Sequence, residues 1–211
     1  MTPPPPGLAI LIPAAGASAR MRGRDKLLEP VRGRPLLADR VAAASSAIAS
    51  SADGARGAIV YVALPPRPAA PGRWAALAGA PAQIIAVADH RDGLSASLRA
   101  GVAALPPHCP GLMILPADMP DITSADMTTL LNGFDGSTIL RATSGDGQPG
   151  HPVLFPARDF AALAALSGDR GARGVLEAAP TRVRRLPLPA GHATTDLDTP
   201  EDWARWRRRQ T

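Results

Sequence analysis

The sequence predicts an α/β fold: a single domain built on a doubly wound, mostly parallel sheet. Three observations predict it. Short, continuous apolar runs, such as residues 8–12 and 111–116, fit strands buried on both faces. Segments with helical apolar spacing separate these runs, and strands alternating with helices imply parallel pairing. At 211 residues with 45% hydrophobic content, the chain can bury one sizeable core.

The elements follow in order. Residues 1–7 contain four prolines and read as an extended, flexible tail, leaving 8–206 as the domain and 207–211 as a basic C-terminal tail. Residues 8–12 form the first strand. Residues 35–50, alanine-rich with spaced apolars, form a helix. A strand at 57–64, a short helix at 74–80, a strand at 83–87 and a helix at 94–105 come next. Residues 111–116 are another strand. A helix at 124–131 is signalled by Thr123 as N-cap with Asp126 three residues on, a capping box. Strands at 137–141 and 152–155 flank a loop. Helices at 157–166 and 174–178 and a strand at 182–188 follow. Thr199, Pro200, Glu201 and Asp202 have the order N-cap, N1 proline and first-turn acids, so they open a last helix. No repeat or linker divides the chain.

Composition narrows the function. The net charge is +5, with basic residues concentrated late, at Arg182, Arg184, Arg185, Arg205 and Arg207–Arg209. Such a surface can attract nucleic acid. Aromatic residues make up only 3% of the chain, so stacking platforms for single strands are scarce and an anionic small substrate is the better reading. No window is long enough for a membrane span, and the N-terminus lacks the pattern of a secretory signal. Cys109 is the only cysteine, which excludes an intrachain disulfide. A cytoplasmic protein with no membrane partner is the expectation.

The basic residues comprise 22 arginines and one lysine. Where arginine is used so freely, a retained lysine points to a need for a compact ammonium. Lys26 follows Ala14, Ala15, Gly16, Ala17, Ser18 and Ala19, a loop almost without side-chain bulk at the end of the first strand. Small residues let backbone N–H groups approach an anion. With Arg20 and Lys26 added, the segment has the parts needed to hold a polyphosphate. It is not a P-loop, since no Gly-Lys-Ser/Thr follows at the required spacing, nor a dinucleotide fingerprint, since two of three glycines are missing. Asp118 follows the apolar run 112–115 and sits at a strand's carboxyl edge, where a carboxylate opposite a phosphate loop suits Mg²⁺. Asp121 is a weaker candidate. Asp196 and Asp198 lie two apart and share a face if extended. Asp89, His90 and Asp92 lack a second His or a Cys and read as a solvated loop. His151 follows a Gly-rich loop that faces the expected cleft.

These residues carry a resemblance. Pro13-Ala-Ala-Gly-Ala-Ser-Ala-Arg-Met21, Asp25-Lys-Leu-Leu28 and Gly33-Arg-Pro-Leu-Leu37 resemble the opening of the MobA-like nucleotidyltransferases, most closely the molybdenum-cofactor cytidylyltransferases. Four later segments agree in order: Gly93–Gly101, Leu115–Pro120, Gly147–Pro152 and Asp196–Asp202. The resemblance spans residues 8 to about 206. It departs at Arg22, where the family usually has glycine, and at Pro13, where leucine is common.

The resemblance implies a Rossmann-like domain of the nucleotide-diphospho-sugar transferase type. It implies nucleotide binding by Ala14, Ala15, Gly16, Ser18 and Ser97, and acceptor binding by Gly150 and His151. It implies Mg²⁺ on Asp118 and Asp198, with Asp196 in reserve, and catalysis by Arg20, Lys26 and Asp118. The Ala-Ala-Gly loop is the form CTP-using relatives show; the Ala15 methyl leaves less room for a purine than the glycine of GTP-using relatives. The expected reaction moves CMP from CTP to a phosphorylated acceptor, molybdopterin or Mo-molybdopterin, with release of pyrophosphate. Two alternatives remain: the same chemistry with GTP or another phosphorylated acceptor, and a non-catalytic nucleotide-binding module or chaperone for a molybdoenzyme client.

Overall fold

The computed structural model describes residues 7–52 and 57–210. Residues 1–6 of the sequence-assigned tail lie outside the described residues. The main sheet has seven strands: β1 (Ala9–Pro13), β4 (Ile59–Leu64), β5 (Gln83–Ala86), β6 (Gly111–Ile114), β7 (Ile139–Thr143), β8 (Pro149–Pro156) and β9 (Val183–Pro187). Their spatial order is β5-β4-β1-β6-β8-β7-β9. The pairings β5–β4, β4–β1, β1–β6 and β7–β9 are parallel, and β8 runs against both of its neighbours. A small hairpin, β2 (Pro30–Val31) with β3 (Arg34–Pro35), stands apart from it.

Among the described residues seven α-helices complete the domain: α1 (Leu36–Ser50), α2 (Pro71–Ala76), α3 (Leu94–Ala103), α4 (Ser124–Asn132), α5 (Phe160–Ala164), α6 (Arg173–Ala178) and α7 (Pro200–Arg208). Alternation along each strand sends apolar side chains to both faces. Ile10, Ile12, Val62, Met113 and Leu154 meet Val41 of α1, Leu130 of α4 and Trp203 of α7 in one layer. Leu11, Tyr61, Leu112, Val153 and Phe155 meet Leu98 of α3, Leu163 of α5 and Val175 of α6 in the other. This is the doubly wound, mostly parallel sheet that the sequence predicts. Gly101 shows how tightly the second layer is packed: a Cβ there would collide with the Leu11 side chain.

Several boundaries differ from the sequence reading. The helix expected at 74–80 begins earlier, at Pro71, because Pro71 takes the N1 position its fixed φ favours. The helix expected at 157–166 is a 3-10 turn followed by the single short helix α5. The sequence reading missed the β2–β3 hairpin, which has only two residues per strand and no alternation to detect. Arg207 and Arg208, assigned to a tail, form the last turn of α7, where Arg207 donates to Glu29 at 2.7 Å and lies over the Trp203 ring.

One boundary matters for function. Gly150 and His151, expected in a loop, are residues of β8. Because β8 is antiparallel, its first residues lie at the carboxyl ends of the neighbouring strands, past the point where Val153 pairs with Ile114. The acceptor-side residues therefore stand on a sheet strand and still face the edge where open α/β sheets bind ligands.

Candidate active site

At that edge lies a cleft of about 1300 Å³. Ala14, Ala15, Gly16, Ser18, Lys26, Ser97, Asp118, Gly150, His151 and Asp196 all line it. Arg20 and Asp198 join it through Lys26.

The loop after β1 forms one wall. Ala14 N–H still donates to Ala63 O at 2.8 Å, and the chain then leaves the sheet. Ser18 adopts a left-handed conformation (φ 51°) before a 3-10 turn, Ala19–Met21, that carries Arg20. Arg22 closes that turn, again left-handed (φ 53°), which explains why a glycine suits the position in resembling proteins. Ala15 lines the cleft, yet its methyl is almost fully buried and packs in the layer beneath α3.

Lys26 starts a second 3-10 turn, Lys26–Leu28, capped by the Asp25 carboxylate on Leu27 N–H at 3.1 Å. The ammonium donates to Asp118 Oδ2 at 2.5 Å and to Asp198 Oδ1 at 2.7 Å. Arg20 meets the other oxygen of Asp198 at 2.8 Å. The two carboxylates arrive on different segments. Asp118 follows β6, and the loop after it is gripped by buried Arg40, which donates to Met119 O at 3.0 Å and also to Ile122 O. Asp198 precedes α7, whose capping box fixes it: Asp202 accepts from the N–H groups of Thr199 at 2.8 Å and Asp198 at 3.2 Å. A backbone bond from Leu197 N–H to Asp118 O, 3.0 Å, ties the two segments together. Asp121 accepts from Trp206 Nε1 at 2.7 Å and serves packing.

The electrostatics follow from this crowding. Burial lowers the Lys26 ammonium, but the charges and hydrogen bonds of Asp118 and Asp198 outweigh it and hold it above its ordinary value. Burial would raise Asp198; the hydrogen bond and charge of Lys26, with Arg20, hold it below the usual carboxylate range. Asp196 is pushed up by burial and by the charges of Asp198 and Asp118. Two hard carboxylates already converge on one cation, which is a donor set suited to Mg²⁺. Among the described residues no three His, Cys, Asp or Glu side chains converge as a metal cage.

Some sequence-assigned residues have other work. The Ser18 hydroxyl donates to Asp25 at 3.2 Å and accepts from Arg73 at 3.1 Å, so it braces the loop. A Cβ on Gly150 would run into the Ala193 carbonyl, which itself accepts from His151 N–H at 2.9 Å. Gly150 thus permits a close approach of the closing segment. His151 Nδ1 is buried without a hydrogen-bond partner among the described residues. Burial, with the Arg141 charge, pushes its imidazole below the ordinary value.

The sequence reading missed Arg73 and Asp25. Arg73, on α2, is 4% exposed. Its Nη1 donates to Ala14 O at 2.6 Å and Gly16 O at 2.8 Å, and its Nε and Nη2 grip Asp25 at 2.6 and 2.9 Å. One guanidinium therefore fixes both the loop and the turn bearing Lys26. Asp25 was visible as the neighbour of Lys26; Arg73 lies in a short helix with no local pattern to mark it.

A small-residue loop with two cations, facing carboxylates at the carboxyl edge of a doubly wound sheet, defines a nucleotide-handling transferase. The MobA-like NTP transferase domain model matches residues 10–184, and the chain belongs to that family; its chemistry is nucleotidyl transfer. The crystal structure of Rv0371c from Mycobacterium tuberculosis H37Rv is similar, with 24% identity over 97% of this chain and 99% of that one and a TM-score of 0.78. Its complex with manganese has 26% identity, covers 95% and 97%, and has a TM-score of 0.75. A nucleotidyl transferase from Methanothermobacter thermautotroptrophicus has 21% identity, covers 96% and 97%, and has a TM-score of 0.78. No curated protein sequence is a significant match.

Proposed function

We propose that this protein is a Mg²⁺-dependent cytidylyltransferase that moves CMP from CTP to a phosphorylated acceptor, with molybdopterin or Mo-molybdopterin as the first choice. One observation carries the reading: Lys26 Nζ lies within hydrogen-bond distance of both Asp118 and Asp198 at the rim of the Ala14–Ser18 loop. A cation, two carboxylates and a bare backbone wall thus lie around one point. The manganese complex of the Rv0371c protein supports a divalent ion in such a fold.

The chain's own groups then have clear roles. Backbone N–H groups of residues 15–18 cradle the triphosphate. Arg20 and Lys26 neutralise charge on it as pyrophosphate departs. Lys26 serves that role once it leaves the carboxylates it now bridges. Asp118 and Asp198 would hold Mg²⁺, which supplies charge neutralisation and alignment for phosphoryl groups when bound. His151 and Gly150 face the acceptor. A phosphate monoester has a second pKa of about 6 and is already nucleophilic at neutral pH, so no general base is needed. Its oxygen attacks the α-phosphate in line, the bond to the β-phosphate breaks, and pyrophosphate leaves.

The test is a pyrophosphate-release assay with each of four nucleoside triphosphates, and with molybdopterin and Mo-molybdopterin as acceptors. Turnover with CTP and either acceptor is expected. Preference for GTP would overturn the nucleotide assignment. Absence of pyrophosphate release with every pair, from folded protein, would overturn the enzymatic reading in favour of a nucleotide-binding module.

A further inference from the structure

We propose that the sheet face beyond His151 carries a second anion subsite, built by Arg141 and Arg185, that takes an oxyanion group borne by the acceptor away from its reacting phosphate, as the oxo-molybdenum end of Mo-molybdopterin would be. The subsite rests on pairing geometry; only its acceptor role rests on the proposed transfer reaction.

Arg141 of β7 and Arg185 of β9 are direct register partners in a parallel pair. Residues so paired leave the same face of the sheet on strands about 4.8 Å apart. Like charges directly opposite each other destabilise a sheet. Arg141 also stands opposite Val153 of β8; beyond that pair the β7–β8 register shifts, and Arg141 Nε reaches Gly150 O, next to His151, at 3.3 Å. Arg141 therefore stands between the start of β8, which carries His151, and Arg185 of β9.

Among the described residues no carboxylate forms an ion pair with either arginine. Arg141 is half-buried, and its one bond is from Nε to Gly150 O at 3.3 Å. Arg185 is exposed. The nearby cation Arg173, on α6, is already bound to Glu177 at 2.7 Å. Burial, and then the charges of Arg185 and Arg173, push the Arg141 guanidinium below its ordinary value. A half-buried guanidinium beside a second one is costly without an anion. A tetrahedral dianion would take paired N–H donors from both and remove their repulsion.

The position suits an acceptor. His151 lines the cleft, and it feels the charge of Asp118 on one side and Arg141 on the other. An acceptor with its reacting phosphate near Lys26 could extend past His151 and anchor its far end on the arginine pair. Remote binding of this kind orients the reacting atoms.

The test uses sulfate as the probe, at constant ionic strength, on the full chain. Titration calorimetry compares the parent, the double variant Arg141→Gln/Arg185→Gln, and Arg20→Gln/Lys26→Met, which weakens the triphosphate loop. Sulfate should bind the third protein as it binds the parent's second site. It should bind that site at least tenfold more weakly in the arginine-pair variant. Arg185→Gln alone, at an exposed position, serves if the double variant fails to fold. Equal sulfate binding with and without the arginine pair would overturn the subsite. In the pyrophosphate-release assay, sulfate should compete with the acceptor in the parent, and the arginine-pair variant should raise acceptor KM while leaving CTP KM unchanged. Sulfate bound at the pair without competition would overturn the acceptor role. Absence of turnover would count against the transfer reading and leave the binding result standing.

Discussion

Replacing Arg73 with methionine should damage both stability and nucleotide binding. The guanidinium donates to two loop carbonyls and grips Asp25 in a paired arrangement, at 4% side-chain exposure. Removing one partner of a buried, hydrogen-bonded ion pair costs about 3–5 kcal/mol. Asp25 keeps 27% of its side-chain surface in water, which relieves part of the penalty and favours the lower end, about 3 kcal/mol. For a domain of this size each kcal/mol is about 2–4 °C, so Tm should fall by roughly 6–12 °C. Lysine at this position offers one compact charge without the planar fork and should recover only part of the loss. Thermal denaturation gives the first number and nucleotide titration the second, since the loop and the Lys26 turn lose their shared anchor. An Arg73→Met protein melting within about 2 °C of the parent, with unchanged nucleotide affinity, would refute the reasoning.

Lys26→Ala should lower kcat by on the order of 10²–10³ with the fold intact by circular dichroism; it should also tighten Mn²⁺ binding to nucleotide-free protein, because the ammonium no longer competes for Asp118 and Asp198. Asp118→Asn and Asp198→Asn should each shift Mg²⁺ titrations of activity to higher concentration, and titrations matching the parent would make both carboxylates structural. Ala15→Gly should move nucleotide preference from CTP toward GTP by no more than about 1–3 kcal/mol, and an unchanged kcat/KM ratio would refute the steric account. The fourth concerns pH. The folded-state pKa of His151 lies below the ordinary value of an imidazole, so as pH falls through that ordinary value the unfolded chain takes up a proton that the native state refuses. Stability should therefore fall with pH below this point, and His151→Gln should flatten the profile measured by denaturant melts.

The fold was largely legible because its signals are local. Apolar runs marked the core strands, and Thr123 with Asp126 and Thr199 with Asp202 form the two capping boxes seen in the structure. The candidate site was legible where chemistry is written in neighbouring residues: the bare loop after β1 and the lysine beyond it. What escaped depends on distance. Arg73 meets Ala14 across 59 residues, and nothing in its own segment distinguishes it from an exposed arginine. Gly150 and His151 were assigned to a loop because glycine and proline flank them, while the sheet edge overrides that local preference. The bracing of Ser18 by Arg73 and Asp25 was likewise out of sight, because those partners lie on separate segments.

The ammonium of Lys26 is joined to carboxylates 92 and 172 residues further along the chain. A chain growing from its N-terminus makes the loop first, then the strand before Asp118, and Asp198 after both. Most of the sheet can therefore assemble before the second carboxylate has left the ribosome. Since Asp198 is held by the start of α7 and by the backbone bond to Asp118, the centre closes only when that last helix docks. Assembly of the charge centre therefore follows that of the sheet: a chain interrupted before Asp198 would carry the small-residue loop and Lys26 but not the pair of carboxylates that holds the ammonium.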